Sequence, residues 1–563
     1  MLKDGGNNIG EASTSSKLLQ LAYPALFCVF ALEFVLFRRF VLAEISPFYP
    51  AFYDQSVLLG RSYEIYEMAQ SRGFIGVILS ELFTPNYQGN LLPIIANFFF
   101  LISGPSRFAA LSVNLFSFLL LQLSFFYVLR KLSGSFSLSF ISLGLLLSLA
   151  YPFYFAGSLQ DFRIDFFAFC FYGIFISAVV ASNMFLSRRF SIASAAVAVV
   201  LLLTRYITLG YLVPTYLLFL VFLFIRYFLI SLGVKKEEAA ARIKNLLFSA
   251  VTALAIVAPF FWLSRKMIQA YYVVGHVTGS EKIYRALNAM VVDLATNLSF
   301  YPKSVLSHLG PYAIYPMLAL LIFSIIIFTT GAKNRSGLRI ANLPSKASFL
   351  FLFFTILVPL LVLTLDLSKS YVVGSIVLPS VVWLVMLVLF FANCGANRVT
   401  IYFAVFVIAI GLYYQVSSFA LHSYARNLKG GANVTEMYID MGEYAEKNGI
   451  TKPKISIDRV TDYLWMRRSL TVVYFEMRGR YIDQEFLLGR TPTEFSRGRA
   501  ISNIKNSDFV IFSKSPSKKN SNYPFEKSVE KVRPELLKLL AREFRLLKEY
   551  QIDGKTFGVY VKP

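Results

Sequence analysis

Runs of about 20 apolar residues recur along most of this chain, and a water-soluble core could not bury so many of them. A helix of about 20 residues, rising about 1.5 Å per residue, crosses a hydrocarbon core about 30 Å thick. The sequence therefore predicts a polytopic α-helical membrane protein with about 11 transmembrane helices. The predicted spans are 18–42, 108–129, 136–157, 166–186, 190–204, 206–230, 246–264, 311–330, 347–365, 371–392 and 399–421. A shorter run at 91–103 predicts a juxtamembrane or re-entrant helix.

The charged residues and the cysteines exclude several classes of function. Only 15% of the residues are charged, against about 25% in a soluble globular protein, and the net charge of +23 comes largely from short loops. No nucleic-acid-binding motif accompanies these basic residues, so nucleic acid is not an expected partner. The cysteines Cys28, Cys170 and Cys394 lie in apolar segments, which argues against a disulfide framework or a Cys/His metal site.

The basic residues also predict the orientation of the spans. With a cytoplasmic N-terminus and eleven spans, the loops richest in Lys and Arg all lie on the cytoplasmic side. This agrees with the positive-inside rule, by which cytoplasmic loops carry an excess of Lys and Arg. These loops are 130–134, 187–190, 226–244, 333–346 and 393–398. The predicted domains are a disordered cytoplasmic tail (1–16), a transmembrane domain (17–422) with an outer loop at 43–107, and an extracytoplasmic domain (423–563). This layout fits a bacterial inner membrane.

The last 140 or so residues, 423–563, have the composition of a soluble domain. Strand-like runs occur at 454–458, 470–476, 508–514 and 556–561. The segment 533–550 carries Leu and Phe at helical spacing, which predicts a helix. The sequence therefore predicts a small C-terminal α/β domain outside the membrane.

Three acids and one arginine lie at the same predicted outer boundary of the membrane. Asp54 follows the first span, and Asp161, Arg163 and Asp165 come directly before the fourth. Asp161 and Asp165 are four residues apart and would share a helix face. Acids near helix N-termini are favoured by the helix dipole, so each has a purely structural interpretation. Aromatic and apolar neighbours would dehydrate these acids, however, and a partly dehydrated carboxylate can act as a general base or bind a metal.

Basic side chains at this boundary also have two interpretations. Arg205 separates two apolar spans, where it either reaches the headgroup region as a long cation or binds the phosphate of a lipid through its guanidinium group. Arg61 has the same two interpretations. Four further residues are candidates for substrate binding or for a structural role: Asp161 and, in the predicted outer loop 265–310, His276, Lys303 and His308.

Layout and motifs together resemble the GT-C glycosyltransferases, in the branch of the protein mannosyltransferases and lipid A aminoarabinose transferases. The resembling positions are an acid after the first span (Asp54), the segment YQGNLLPIIANFFFLISG (87–104), an acid opening the fourth span (Asp165) and TRY (204–206) in place of Thr-Lys-Gly. The chain differs from the family at Gln55, where the family usually has the second acid of an Asp-Glu pair. The basic residue that the family has before the LLP string is also absent.

The resemblance implies a hexosyl- or pentosyltransferase that moves a sugar from a polyprenyl-phosphate donor to a glycan, lipid or protein acceptor, in one step with inversion. It implies that Asp54 and Asp165 are catalytic, and that Arg205, Arg163 and Arg61 stabilise the donor phosphate. Membrane lipids are further expected partners. No cofactor is required; the acids could bind a divalent metal, although the sequence has no Asp-x-Asp string.

Two other classes of function are compatible with the sequence. A transporter or flippase for a lipid-linked or polymer substrate would carry ionisable residues near the bilayer midplane and often an internal repeat. Here Glu33 is the clearest charge within a span, and the two halves show no repeat. A structural subunit or receptor would bind a polymer through its outer domain, and the acids at the membrane boundary would then have no direct role. The gathering of charged candidates at one boundary favours an enzyme.

Overall fold

The computed structural model describes residues 8–46, 53–154, 156–229, 234–278, 286, 289–330, 346–366, 369–392, 399–421, 431–450, 453–457, 484–487, 496–514, 524–552 and 555–563. Its helices before residue 422 are α1 (Asn8–Phe40), α2 (Tyr53–Arg72), α3 (Phe74–Leu82), α4 (Leu91–Ser103), α5 (Arg107–Ser133), α6 (Phe136–Leu147), α7 (Ile164–Ala181), α8 (Arg188–Thr204), α9 (Leu209–Leu229), α10 (Val234–Ile268), α11 (Leu294–Leu309), α12 (Pro311–Thr330), α13 (Lys346–Leu365), α14 (Leu378–Phe391) and α15 (Val399–Leu421). Short π-helical or 3-10 turns lie at Val41–Ile45, Tyr151–Phe153, Tyr206–Thr208, Gln269–Thr278 and Tyr371–Val377.

Within the described residues, nine helical segments are long and apolar enough to cross a membrane. They are Arg107–Ser133, Phe136–Phe153, Ile164–Ala181, Tyr206–Leu229, Lys236–Gly275, Pro311–Thr329, Ala347–Leu365, Tyr371–Phe391 and Val399–Ala420. The other two predicted spans, 18–42 and 190–204, fall mainly in α1 and in α8, which has 17 residues. The predicted polytopic helical membrane protein is confirmed, and the count of about 11 spans is approximate. The run at 91–103 forms α4, a 13-residue helix.

The first helix corrects the prediction for the N-terminal tail. Because α1 begins at Asn8, residues 8–16, which were predicted to be disordered, are helical. Elongating an existing helix fixes one residue for each hydrogen bond gained, so the apolar part of α1 can extend into a polar segment at little cost.

Helices α5, α6, α7 and α14 form the buried centre of the bundle. Trp383 of α14 packs against Phe125 of α5, with ring centroids 4.7 Å apart. The indole Nε1 of Trp383 donates a 3.1 Å hydrogen bond to Ser177 Oγ of α7, which satisfies the N–H in an apolar interior. Because α7 is packed by its neighbours along its whole length, its first turn has a fixed position.

The short helices α2, α3 and α4 pack on one another beside the start of α7. Tyr63 of α2 stacks on Phe100 of α4, with ring centroids 5.5 Å apart. Arg61 of α2 pairs with Glu81 of α3, whose side chain is nearly buried. These contacts hold α2 so that Asp54, in its first turn, faces the first turn of α7.

The C-terminal domain is a mixed five-stranded sheet with helices on both faces, which confirms the predicted α/β class. The strands are β1 (Lys454–Ile457), β2 (Gln484–Leu487), β3 (Phe509–Ser513), β4 (Arg545–Ile552) and β5 (Lys555–Val561), in the order β2-β1-β3-β5-β4. Strand β1 is parallel to β2 and β3, and β5 is antiparallel to β3 and β4. The helices are α16 (Gly431–Lys447), α17 (Arg497–Lys505) and α18 (Pro524–Glu543).

The side chains of β3 point alternately to the two faces of the sheet, and helices cover both faces. Phe509 and Ile511 pack on one face with α16, whereas Val510 and Phe512 pack on the other with α17 and α18. Successive residues of a strand point to opposite faces, so with helices on both faces four consecutive residues of β3, Phe509 to Phe512, are apolar.

The predicted helix at 533–550 is wrong in its second half. Helix α18 ends at Glu543, and residues 545–552 form β4, which pairs with β5 in a hairpin. Pairing with β5 outweighs the helical spacing of Leu and Phe, as tertiary context commonly outweighs local propensity. The strand-like runs at 454–458, 508–514 and 556–561 are confirmed, and the run at 470–476 lies outside the described residues.

Candidate active site

Four charged side chains meet where three helices begin or end. Asp54 lies in the first turn of α2, Arg163 precedes α7, Asp165 lies in the first turn of α7, and Arg205 follows α8. Arg163 Nη2 lies 2.8 Å from Asp54 Oδ2, and its Nε lies 3.3 Å from Asp165 Oδ2. The other carboxylate oxygen of Asp165 pairs with Arg205. We call this continuous series, Asp54–Arg163–Asp165–Arg205, the ion-pair chain.

Exposure distinguishes the members of the ion-pair chain. The Asp165 side chain is 3% exposed and lies between two guanidinium groups, whereas the Asp54 side chain is 52% exposed. A carboxylate buried between two cations and placed at a helix N-terminus is held in its ionised form by its surroundings. Asp165 therefore holds the two arginines in place, and Asp54 is the carboxylate that a molecule arriving from solution can reach.

The turn before α7 is fixed by hydrogen bonds and by a close backbone approach. Asn114 of α5 donates from Nδ2 to the Asp161 main-chain oxygen at 3.0 Å, and the Gly157 N–H donates to Asp161 Oδ2 at 2.6 Å. Gly157 has a φ of 66°, and a Cβ atom at this position would lie 2.9 Å from Cβ of Val372 and 3.3 Å from Cβ of Asp165. Only glycine fits this conformation and spacing without displacing the start of α7.

A second close approach positions Arg205. Gly89 packs directly on the last turn of α8, and a Cβ atom at residue 89 would lie 1.6 Å from the main-chain oxygen of Leu203. Asn90 holds the same segment by donating hydrogen bonds of 2.9 and 2.7 Å to two carbonyls at the end of α3. The segment therefore lies against the end of α8 and brings Gln88 next to Arg205 in one cleft.

The ion-pair chain lines a cleft that, together with the solvent space at its mouth, encloses about 670 Å³. The polar residues that complete its lining come from later parts of the chain: Tyr271, Tyr272, Tyr301, Asp366 and Ser370. We call this second set the tyrosine–aspartate lining. The cleft therefore combines two cations with several hydroxyl groups and carboxylates.

Burial and neighbouring charges determine the protonation of the cluster. Burial raises the pKa of Asp161 to about 7, although Arg163 and the Gly157 N–H both lower it. Burial alone would lower the pKa of Arg163, but Asp54 and Asp165 hold it above its usual value. Burial alone would also lower the pKa of Arg205, but the charge of Asp165 holds this pKa above its usual value. Both arginines therefore stay charged, and the cleft keeps two cations at every physiological pH.

The raised pKa of Asp161 predicts a stability that falls between pH 6 and pH 8. The folded protein holds this proton up to a pKa of about 7, while the unfolded chain releases it near the ordinary value of 3.8. The stability from the bound proton is therefore complete at low pH and is lost as the pH rises through 7. The expected loss in unfolding free energy between pH 6 and pH 8 is about 1.4 kcal/mol, measured by unfolding the purified protein at both values.

The matched variant for this prediction is Asp161→Asn, which keeps an acceptor for the Gly157 N–H but cannot ionise. Its unfolding free energy is expected to change about 1 kcal/mol less between pH 6 and pH 8 than that of the unsubstituted protein. An identical pH dependence in both proteins would show that Asp161 does not titrate in this range.

The structure brings together five of the residues predicted from the sequence: Asp54, Asp161, Arg163, Asp165 and Arg205. Arg61 lies outside the cleft lining. Its guanidinium pairs with Glu64 at 2.7 Å and with Glu81, so both of its anionic partners belong to α2 and α3. A role for Arg61 in phosphate binding stays a prediction.

The remaining candidates also lie apart from the cleft lining. Lys303 is exposed on α11, while His308 is buried and packs beside Tyr151 and Tyr154 at centroid distances of 5.0 and 4.4 Å. Burial lowers the pKa of His308 to about 4, so its imidazole is neutral near pH 7. The side chain of His276 lies outside the described residues. Substrate binding by these three residues stays a prediction.

The sequence analysis missed Asp366, Gln88 and Tyr301. Asp366 has the same signal as the predicted acids, because it directly follows the apolar run 347–365. Gln88 and Tyr301 carry no charge and lie among many other polar and aromatic residues, so their sequence gives no comparable signal.

The described residues fit a divalent metal poorly. Among them, no group of three or more His, Cys, Asp or Glu side chains is arranged to hold a metal ion. The carboxylate of Asp165 is engaged by two guanidinium groups, and that of Asp54 by one, which leaves few carboxylate oxygens of the ion-pair chain for a metal. We therefore derive no chemical step through a metal.

Comparison with solved structures identifies the fold. ArnT from Cupriavidus metallidurans in the apo state aligns with a TM-score of 0.57 and 12% sequence identity, over 96% of this chain and 98% of that chain. The protein has the GT-C fold. ArnT from the same organism bound to undecaprenyl phosphate aligns with a TM-score of 0.58 and 12% identity, over 95% of this chain and 97% of that chain. The GT-C fold predicted from the sequence is confirmed over nearly the whole chain.

The archaeal oligosaccharyltransferase AglB from Archaeoglobus fulgidus, in complex with an inhibitory peptide and a dolichol-phosphate, aligns less well with this chain. Its TM-score is 0.48 at 10% identity, over 96% of this chain and 74% of that chain. No family model matches this GT-C chain, and no curated protein matches it in sequence.

Proposed function

We propose that the protein is an integral-membrane glycosyltransferase that moves a sugar from a polyprenyl-phosphate donor to an extracytoplasmic glycan, lipid or protein acceptor. The observation that carries the proposal is the ion-pair chain, which places two largely buried guanidinium groups beside one half-exposed carboxylate in a single cleft. The GT-C fold supports it, as does the near full-length likeness to ArnT, a protein known in a complex with undecaprenyl phosphate.

The two arginines suit the phosphate of the donor. A guanidinium group offers paired donors that match phosphate oxygens, and it stays charged when buried. Arg163 and Arg205 both form ion pairs with Asp165. Each guanidinium group has further N–H groups that can bind a ligand in the cleft. During transfer, negative charge grows on the leaving phosphate, and fixed cations beside it lower the barrier. In this proposal Asp165 is a positioning residue, because its carboxylate is occupied by the arginines.

Asp54 suits the role of general base. Its carboxylate is the exposed end of the ion-pair chain and lies 2.8 Å from Arg163, so an acceptor hydroxyl bound there would also be near the donor phosphate. The acceptor oxygen forms a bond to the anomeric carbon as the bond from that carbon to the phosphate oxygen breaks. The acceptor proton passes to Asp54, and polyprenyl phosphate leaves as the anion. Attack from the face opposite the phosphate inverts the anomeric carbon.

Membrane physics agrees with this assignment. A donor with a long polyprenyl tail keeps the tail among lipids while its headgroup enters a polar cleft. Arg163, Asp165 and Arg205 stand at the ends of apolar helices, where a headgroup meets the membrane boundary, and Asp54 contacts Arg163 there. We assign this boundary to the outer face of a bacterial inner membrane, because the loops richest in Lys and Arg are then cytoplasmic.

The transporter alternative has less support. Glu33 is buried within α1, and its carboxylate accepts a 2.9 Å hydrogen bond from Gln122 Nε2 of α5, so it has a structural partner. The four residues of the ion-pair chain form one connected cluster near helix ends, whereas transport sites lie near the bilayer midplane.

The proposal is tested by measuring the binding of undecaprenyl phosphate to the purified protein in detergent. Arg205→Gln is expected to weaken binding about 10- to 100-fold, because a hydrogen bond to a charged group contributes about 1.5–3 kcal/mol. The matched control is Arg265→Gln, which removes an exposed cation at the end of α10 that bonds only locally, to Trp262, among the hydrogen bonds described. Both variants are compared as the folded, monodisperse fraction.

Equal affinity in Arg205→Gln, Arg265→Gln and the unsubstituted protein would overturn the role of Arg205. Failure of the unsubstituted protein to bind undecaprenyl phosphate would overturn the proposed donor class.

A further inference from the structure

The tyrosine–aspartate lining has a different chemistry from the ion-pair chain. Tyr301 comes from α11, and Asp366 follows α13 directly, so this part of the cleft is built by segments that come after the ion-pair chain in the sequence. It contributes phenol hydroxyls, the Ser370 hydroxyl and one carboxylate, and among the described lining residues it adds no cation. Because hydroxyl groups and a carboxylate predominate, this lining suits a ligand with many hydroxyl groups.

The lining is held rigidly. Lys369 is buried, and its Nζ donates hydrogen bonds of 2.9 and 3.0 Å to the main-chain oxygens of Leu363 and Thr364 at the end of α13. The same ammonium group lies 5.1 Å from the centroid of the Tyr301 ring. Lys369 therefore fixes the segment that carries Asp366 against both α13 and α11. A rigid lining is what a specific subsite requires, because little ordering is needed when a ligand binds.

A second anchor fixes the other side of the same segment. Ser304 Oγ of α11 donates a 2.7 Å hydrogen bond to the main-chain oxygen of Tyr371, and the Tyr371 ring packs on Phe300 at 4.4 Å between centroids. The chain on either side of Ser370 is thus hydrogen-bonded to a helix, Lys369 to α13 and Tyr371 to α11.

The tyrosine–aspartate lining and the ion-pair chain lie within electrostatic reach of each other. The Tyr301 phenol interacts with the charges of both Asp366 and Arg205. A ligand whose phosphate contacts Arg205 can therefore place its next chemical group beside Tyr301 and Asp366, which border the same cleft. In a polyprenyl-phosphate sugar, the group attached to the phosphate is the sugar ring.

We propose that Asp366, with Tyr271, Tyr272 and Tyr301, binds the sugar ring of the donor and selects among sugars. This rests on the proposed function. The Asp366 carboxylate accepts hydrogen bonds from sugar hydroxyl groups, and the tyrosine rings supply flat surfaces and hydroxyls for the remainder of the ring. Asp366 is thus a specificity-determining residue, while the arginines bind the phosphate of every donor.

The experiment compares the binding of farnesyl phosphate with that of farnesyl phosphate carrying glucose, galactose, mannose or arabinose. In the unsubstituted protein, at least one sugar-bearing lipid is expected to bind about tenfold more tightly than farnesyl phosphate. Asp366→Asn is expected to remove most of this tenfold gain and to leave the affinity for farnesyl phosphate within about twofold. The reason is that hydrogen bonds to an ionised acceptor are roughly twice as strong as those to a neutral one.

The matched control is Asp293→Asn, which changes an exposed capping acid of α11 that lies outside the cleft lining and is expected to change none of these affinities. Three results overturn the sugar-binding role: no sugar increases affinity, the gain survives Asp366→Asn, or Asp366→Asn weakens binding of farnesyl phosphate and its sugar derivatives equally. Failure of the unsubstituted protein to bind any of the lipids, farnesyl phosphate included, overturns the proposed function itself.

Discussion

Asp54→Asn is expected to lower the rate of sugar transfer by about 10²–10⁴-fold while the affinity for undecaprenyl phosphate stays within about threefold, because proton removal by a positioned base contributes a factor of this size. The amide has the size of the carboxylate and keeps an oxygen that can accept from Arg163, so the ion-pair chain stays in place. The rate is measured as transfer of radiolabel from a panel of undecaprenyl-phosphate sugars to acceptors in membrane vesicles that contain the protein.

The control for this prediction is Glu64→Gln, on the same helix. Glu64 is a partly exposed carboxylate that pairs with Arg61 at 2.7 Å and lies outside the cleft lining. Its replacement is expected to change the transfer rate less than about twofold. If folded Asp54→Asn protein transferred sugar at the unsubstituted rate, the proton would have another acceptor and the assignment of Asp54 as base would be wrong.

Asp165→Ala is expected to lower the free energy of unfolding by about 3–5 kcal/mol, because removing one partner of a buried ion pair leaves an uncompensated buried charge. Asp165 is the single carboxylate between Arg163 and Arg205 in the ion-pair chain, and its side chain is 3% exposed. Without it, two guanidinium groups that are themselves largely buried face each other. The change is measured by denaturant or thermal unfolding of the purified protein in detergent.

A surface ion pair provides the comparison. Arg497 and Glu535 of the C-terminal domain are 2.7 Å apart, with side chains 65% and 42% exposed. Solvent screens such a pair, so Glu535→Ala is expected to lower the free energy of unfolding far less than Asp165→Ala does. Losses of equal size in Asp165→Ala and Glu535→Ala would show that the cleft is well hydrated and that Asp165 does not hold the arginines.

The ion-pair chain could be predicted from the sequence because charges are conspicuous at the ends of apolar runs. Arg163, Asp165 and Arg205 stand at such ends and Asp54 lies in the loop after the first span, and the alternation of the predicted spans places all four on one side. Asp366 carries the same signal, but its distance from the others along the chain is large, and only the packing of the helices brings it to the same cleft. Which charges share a cleft depends on helix neighbours that hydropathy does not reveal.

Two further features could not be predicted from the sequence, because they too depend on which elements pack together. Arg61 is visible in the sequence, but its pairing with Glu81, 20 residues away on α3, depends on how α2 and α3 fold together. The segment 545–552 has helical spacing and is nevertheless a strand, because β5 is available as a partner. Local patterns predict which residues are apolar or charged, while long-range contacts decide how those residues are used.

A structure of the protein with bound undecaprenyl phosphate tests the central claim most directly. We predict that the phosphate lies in the cleft about 2.7–3.2 Å from guanidinium nitrogens of Arg205 or Arg163, with the Asp54 carboxylate facing the open space beside it. A phosphate bound outside this cleft, with both arginines still paired only to carboxylates, would contradict the account.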